Sequence, residues 1–451
     1  MSQQAGKAIL RPKTPLKSTW EVIEPRLWRH HFSEGERVAC AFLGDVYLHN
    51  YSSLKDLQDA RNKTEGYHRG GEYFNGPPYG LAYDDSYLYL KLPDDLDLDD
   101  LQLVLSGNPL VKIQNSSGLI FDGFTLQGRS TGIRIDELST NATIRNCIIL
   151  GAAYGVMTNA DYTLVEWCEF TVPGLDTFNE ELMKIKTYIY FLMKERGLEG
   201  GLVYSRKVPA PRFLESRYNY IHSVFDGDGL GQFDDSTIHH NIYHDCFDNA
   251  VEFEPNVKGK AGANLNFYEN KVSGFSRGYL SHQQNGVDRE QAKREGWLMK
   301  GPHYVHHNVI IADGDVNLGW KPWTIIKSRP WDNHMRIVYA HNLIYGRTKT
   351  DLFWYKPDWE SGLANMTWLS NVILLPEGVA TEPVPFFANS NALLAPSTNP
   401  KLTGEDGFYV TAISDLDYTN NAPQYNPGPF KTGYDITPDW PRPAARAYAP
   451  E

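Results

Sequence analysis

The chain has 451 residues, of which 41% are hydrophobic, 13% aromatic and 22% charged, and 43 Lys and Arg against 55 Asp and Glu give a net charge of −12. This composition excludes a disordered, collagenous or coiled-coil chain, and an acidic balance (pI about 5.6) without a basic cluster excludes a nucleic-acid partner, which needs a positive footprint. No window approaches the ~18 uninterrupted apolar residues of a membrane span, and the opening MSQQAGKAILRPKTPLK lacks the apolar core of a signal peptide. The reading is a soluble chain without a membrane partner, cytoplasmic if complete and secreted or periplasmic if a leader was removed.

Residues 1–104 contain AFLGDVYLHN, the Gly- and Pro-bearing GYHRGGEYFNGPPYG, and DDSYLYLKLP. These predict the strands of a small β-rich region. It is expected to cap the segment that begins near residue 105, because the open end of a stacked fold is an exposed sheet edge.

Residues 105–380 repeat. Short apolar runs carry an Asn near their centre: ATIRNCIIL (Asn146), ESRYNYIHS (Asn219), STIHHNIYHD (Asn241), NFYENKVSG (Asn270), HYVHHNVII (Asn308), IVYAHNLIY (Asn342) and MTWLSNVIL (Asn371). From Asn219 onward the intervals are 22, 29, 38, 34 and 29 residues, so a unit of about 22 is lengthened by insertions at certain turns. TLVEWCEFT adds a copy with Trp167 in the Asn place, and its Cys168 falls where Cys147 falls. Two or three short strands per unit, without helical periodicity, predict the coil of a parallel β-helix, each coil pairing with its neighbours about 4.8 Å away. The repeated Asn then reads as structural, stacking along the axis to satisfy backbone groups that a tight bend leaves unpaired. Cys40, Cys147, Cys168 and Cys246 form no CxxC and read as buried core residues.

Two segments depart from the repeat. Thr177 and Glu180 have capping-box spacing, and Leu182, Ile185, Ile189, Leu192 and Met193 share one helical face before Gly197 and Gly200. A helical insertion over about 175–200 is expected to pack on the solenoid, wall a groove, or meet a second subunit of a homo-oligomer. Residues 381–451, rich in Pro and Asn, predict an extended tail lying along the body.

The chemistry is expected on the second strand after the Asn turn, which differs from coil to coil: GIRIDE, GVMTNA, GQFDDS, AVEFEP, GYLSHQ and TIIKSR. Side chains alternate along a strand, so outward ones stack into columns up the face. Eleven and thirteen residues on from Asn146 stand Met157 and Asn159, and the same count from Asn241 reaches Glu252 and Glu254. With Val251 and Phe253 inward, one column is expected to hold Asp136, Asn159, Asp234, Glu254, His282 and Lys327, and the next Arg134, Gln232 and Glu252. A face that runs from acidic through His to Lys suits a site. The stretch VFDGDGLGQFDD adds Asp226, Asp228 and Asp235. Its glycines permit an unusual turn, whereas Asp234 and Asp235 read as entering a strand, where Asp is disfavoured and so suggests a purpose. The stretch does not match EF-hand spacing, so calcium rests on carboxylate density alone and no cofactor or metal ligand set is assigned.

His240, His307 and His341 each precede a repeated Asn, in the place held elsewhere by Arg145, Tyr218, Glu269 and Ser370. They read as a polar column at a turn rather than a zinc site. Six of the eleven tryptophans (Trp320, Trp323, Trp331, Trp354, Trp359, Trp368) crowd into residues 320–368, where ring faces beside a charged groove suit the apolar faces of sugars.

NIYHDCFDNAVEFE (241–254), GPHYVHHNVI (301–310), Lys327 and RIVYAHNLI (336–344) together resemble the right-handed parallel β-helix proteins of the pectate-lyase-like superfamily. That resemblance implies an all-β, right-handed solenoid and a polysaccharide lyase, glycoside hydrolase or epimerase. An Asp-Asp pair is expected before the strand bearing Glu252, and here those positions are Asp248 and Asn249. Hydrolysis needs two carboxyls about 5 Å apart for retention or roughly 6.5–9.5 Å for inversion. Asp234 with Glu252 or Glu254 would serve, and His282 and Lys327 would bind hydroxyls or an anion. Arg134, Asp228, Asp235, Trp320, Trp323, Trp331 and Trp354 would bind the poly- or oligosaccharide. Lyase chemistry would instead use Lys327, His282 or Arg134 as base and neutraliser beside a uronate, with calcium on the aspartates. A third reading is a non-catalytic glycan-binding solenoid of the tailspike or adhesin kind. The surplus of carboxylates over cations favours hydrolysis.

Overall fold

The computed structural model describes residues 8–12, 19–31, 38–43, 46–63, 73–84, 86–93, 98–105, 107–129, 131–151, 154–172, 203–204, 210–253, 264–274, 278–282, 303–312, 324–328, 337–340, 342–346, 351–354, 366–369, 371–374, 392–394, 401–403 and 409–411. Among the described residues no helix is long and apolar enough to cross a membrane.

The chain winds through three faces per coil, and on every face successive coils pair in parallel. Nine described strands, from Ile120–Asp122 to Met366–Leu369, form the first face. Eleven, from Ala8–Leu10 through Phe124–Gln127 to Ala392–Leu394, form the second. The third is divided. Val111–Ile113, Thr131–Ile135, Tyr154–Thr158 and Val203–Tyr204 make one sheet, and Asp228–Gly229, Asn249–Glu252, Gly278–His282, Thr324–Ser328 and Asp351–Trp354 make another. The fold is an all-β parallel β-helix. Its interior is a stack of like residues from the three faces, such as Ile238, Phe267 and Val305 from the first, Tyr243, Val272 and Ile310 from the second, and Val251, Leu280 and Ile326 from the third, all at most 1% exposed.

The corner between the first and second faces turns on a single left-handed residue. Asn146, Trp167, Tyr218, His240, Glu269 and His307 all have φ between 52° and 57° there. The residue that follows builds the ladder. The Oδ1 atoms of Asn241, Asn270, Asn308, Asn342 and Asn371 accept the backbone N–H of Asn219, Asn241, Asn270, Asn308 and Asn342 at 2.9–3.0 Å. Each Nδ2 donates to a carbonyl of the preceding coil, as from Asn270 to Ile238 at 3.0 Å. This corrects the register by one residue, because Asn146 stands at the left-handed position, which also favours Asn, and not in the ladder. In the ladder column its coil has Cys147, and the next has Cys168, whose N–H donates to Asn219 Oδ1 at 2.9 Å. Cys147, Cys168 and Cys246 are buried free thiols, and burial pushes Cys168 and Cys246 well above the usual thiol range.

Among the described residues three antiparallel sheets precede the solenoid. Glu21–Glu24, Leu27–His31, Tyr87–Lys91 and Gly80–Tyr83 make one, Leu101–Leu105, Val38–Leu43 and Val46–Leu48 a second, and Arg61–Lys63 with Tyr73–Asn75 a two-stranded third. A short helix, Leu54–Asp59, begins at Ser53, whose hydroxyl accepts the Asp56 N–H at 3.1 Å. Phe42, Tyr47 and Val104 join the core of the solenoid itself and close its first coil. Ala8–Leu10, however, belongs to the second face, pairing with Phe124–Gln127, and Ala392–Leu394 carries that face one rung beyond Val372–Leu374. The helical insertion expected at 175–200, with its proposed subunit contact, lies outside the described residues.

Candidate functional site

Chain-length variation points to the third face. Between described strands the first-to-second corner is always tight, whereas the segments 173–202, 254–263, 283–302, 313–323 and 355–365 enter or leave third-face strands; 375–391 instead joins two second-face strands. Register then fixes the columns. Gly229, Glu252, Ser281, Lys327 and Trp354 pair in succession, and so do Asp228, Val251, Leu280, Ile326 and Phe353. Val251, Leu280 and Ile326 are fully buried, so the second of these columns faces the core and the column of Glu252 faces outward.

Glu252 and Asp226 meet at one amide. Nδ2 of Asn249 donates to Glu252 Oε1 at 2.6 Å and to Asp226 Oδ1 at 3.1 Å, and the Asn249 backbone N–H donates to the same Asp226 oxygen at 3.1 Å. Those lengths bound the two carboxylate oxygens to within about 5.7 Å of each other, inside the range over which like charges couple. Asp226, Asp248 and Asn249 are buried and Glu252 half-buried. Gly227 makes the approach possible: a Cβ there would lie 1.9 Å from the Ala250 carbonyl oxygen.

The structure redistributes the other expected residues. His282 does not share the outward column, which Ser281 occupies. It is 1% exposed and stacks on Phe253 at 4.7 Å and 11°, with the Tyr339 hydroxyl on its Nε2. The count failed because it was carried from Glu254 across the insertion at 254–263. Burial, with a smaller contribution from His303, holds the His282 pKa down to about 3.

Asp228 is likewise inward and fully buried, accepting from the Tyr243 hydroxyl. Burial first, then the Asp228 charge, push the Tyr243 phenol well above its ordinary range. Gln232 is 2% exposed, and Asp136 folds back on its own turn, accepting from Ser139 Oγ at 2.8 Å and from the N–H groups of Asn115 and Leu138. Arg134 is exposed on the other third-face sheet, in register with Met157. Glu254, Trp320, Trp323 and Trp331 lie outside the described residues. Lys327 and Trp354 are placed by backbone register only.

Asp234 and Asp235 are not in a strand. They stand at the corner between the third and first faces, where Asp235 takes a left-handed φ of 47° and Asp is a favoured residue. The same corner position is filled on successive coils by Gly118, Asn141, Tyr162, Phe213, Asp235 and Asn264, all at positive φ. Left-handed backbone costs a bulky residue roughly 1–2 kcal/mol, so Tyr162 and Phe213 are exceptions to the turn chemistry of the column. A groove of about 610 Å³ opens at this corner.

The histidines expected as a turn column hold it for His240 and His307, alongside Trp167 and Tyr218. His341 lies outside the described residues. His239 and His240 share an Nδ1···Nδ1 hydrogen bond of 2.7 Å, and burial lowers His240 to about 4. Among the described residues no three His, Cys, Asp or Glu side chains converge as a metal ligand set.

No protein-family model matches the chain, and no curated protein does. Several solved structures show similarity, three of them as follows. XylC, in complex with xylose, matches at 11% identity and a TM-score of 0.40 over 82% of this chain and 65% of its own. A tailspike variant of E. coli bacteriophage HK620, in complex with a pentasaccharide, matches at 10% identity and 0.35 over 61% and 54%. DFA-IIIase from Arthrobacter chlorophenolicus, without its lid, matches at 12% identity and 0.29 over 64% and 69%. The chain thus spans about two thirds of the length of XylC and about half that of the tailspike.

Proposed function

We propose that the third face is the working surface of a carbohydrate-active enzyme that cleaves a glycosidic bond in a poly- or oligosaccharide by carboxylate acid/base hydrolysis. The observation that carries this reading is the amide of Asn249 held between Glu252 and Asp226. Two carboxyls so close cannot both ionise freely, so one keeps a proton into the range where it can protonate a leaving oxygen while the other stays charged. Their spacing lies nearer the roughly 5 Å of a retaining pair than the 6.5–9.5 Å of an inverting one. In this assignment Asp226 takes the place given from sequence to Asp234 as the partner of Glu252.

Lys327, two rungs along the column of Glu252, favours a second reading, β-elimination on a uronate, with the ammonium neutralising the substrate carboxylate. One experiment separates the two. Incubation with neutral and uronate-containing glycans, followed by both reducing ends and ultraviolet absorbance, gives new reducing ends without absorbance for hydrolysis. A conjugated double bond that absorbs would assign the lyase.

A further inference from the structure

We infer that the groove at the corner between the third and first faces is a second, non-catalytic binding site for a neutral pyranose chain. Tyr162 is 51% exposed and lies on Phe213 with ring centroids 4.6 Å apart and planes at 19°. Both residues hold a left-handed backbone, φ 57° and 60°, at positions that Asn, Asp and Gly fill on the other coils. In this column the two coils present stacked aromatic rings where the others present short polar side chains or none, and Tyr162 lines the groove.

Beside Leu138, Ala210 and Pro211, the groove carries polar groups held in place. Asp161 Oδ1 accepts the Arg212 N–H at 2.8 Å, and Arg212 pairs with Asp235 at 2.6 Å while its guanidinium lies 4.7 Å from the Phe213 ring centre. Asn264 Nδ2 holds the other Asp235 oxygen at 3.0 Å. Glu137, Asn159, Asp161 and Asp234 line the same space of about 610 Å³, within the range of small-ligand clefts, roughly 300–1,000 Å³. An exposed ring offers a platform for the apolar face of a pyranose, and the carboxylates and amides accept hydroxyl protons. The arginine is already ion-paired, and the excess of carboxylates repels a uronate. The ligand that fits is therefore neutral, rich in hydroxyls and flat on one side.

The inference is tested by binding, in the full chain carrying Glu252→Gln, so that it stands whether or not the third-face reading holds. Hexamers of β-1,4-linked glucose, xylose and mannose, a galacturonate hexamer, and calcium alone serve as probes in calorimetry and in ligand-observed NMR. At least one neutral hexamer is expected to bind, and the galacturonate hexamer at least tenfold more weakly. Tyr162→Asn should weaken the neutral hexamer tenfold or more while the melting temperature holds or rises, because Asn suits the left-handed position; Tyr162→Phe should retain most binding. Unchanged affinity in Tyr162→Asn, preference for the uronate, no neutral hexamer bound, or saturation by calcium without any sugar binding would each overturn the inference.

Discussion

Asn249 donates one amide to two acids, reaching Glu252 at 2.6 Å and Asp226 at 3.1 Å. Hydrogen bonds to charged groups contribute roughly 1.5–3 kcal/mol, and these favour the ionised forms of both carboxyls. Asn249→Ala is expected to lower kcat about ten- to a hundredfold and to move the acidic limb of the pH profile to higher pH. A profile that stays in place, measured as kcat/KM against pH, would separate Asn249 from the reacting groups.

Gly227 allows the strand to pass the Ala250 carbonyl, and a methyl there has no room at 1.9 Å. Overpacking of this kind costs about 1–3 kcal/mol. Gly227→Ala should therefore lower the denaturant midpoint and, by displacing Asp226, reduce activity more than the stability loss accounts for.

The ladder makes a sharper contrast. Asn270→Ala would strand the buried Asn241 N–H and the Ile238 carbonyl, which it satisfies at 2.9 and 3.0 Å. Each stranded group costs about 1–3 kcal/mol. Asn146→Gly, at a left-handed turn and off the ladder, strands no ladder group and should cost less than Asn270→Ala, mostly through its part-buried 2.8 Å hydrogen bond to Asp122. Equal losses in the two variants, by chemical denaturation, would return Asn146 to the ladder.

His282 and His303 are buried, with pKa values lowered to about 3 and about 4. A lowered pKa means the unfolded chain binds more protons below about 6.5, so these groups keep their full contribution above that pH. It is lost as pH falls from 6.5 toward 4 and 3, at about 1.4 kcal/mol per unit for each histidine. His282→Phe should flatten the slope of stability between pH 6 and 4, read from denaturant midpoints across that range.

Much of this was legible in the sequence, and the gaps have physical causes. The solenoid announced itself because the ladder demands the same residue on every coil, while the one-residue slip at Asn146 arose because the neighbouring left-handed position also accepts Asn. Glu252 and Lys327 were read into adjacent columns of one face, but by register they share one column, with a buried Ser281 between them, because the count to Lys327 crossed insertions. His282 was read as outward because alternation cannot be counted across an insertion, and Asp228, read as a substrate contact in a glycine-rich stretch, is buried. Asn249 looked like a departure from an acidic pair. Its role depends on Asp226, one coil earlier, and a single strand does not reveal it.

The most direct measurement is the release of reducing ends from a neutral glycan panel by the wild-type chain and by Glu252→Gln, each first shown to unfold cooperatively at the same midpoint. Turnover of at least one glycan by the wild type is expected, with a loss of about 10²–10⁴-fold in the variant, the size that follows removal of an acid/base group. Full activity in folded Glu252→Gln would contradict it.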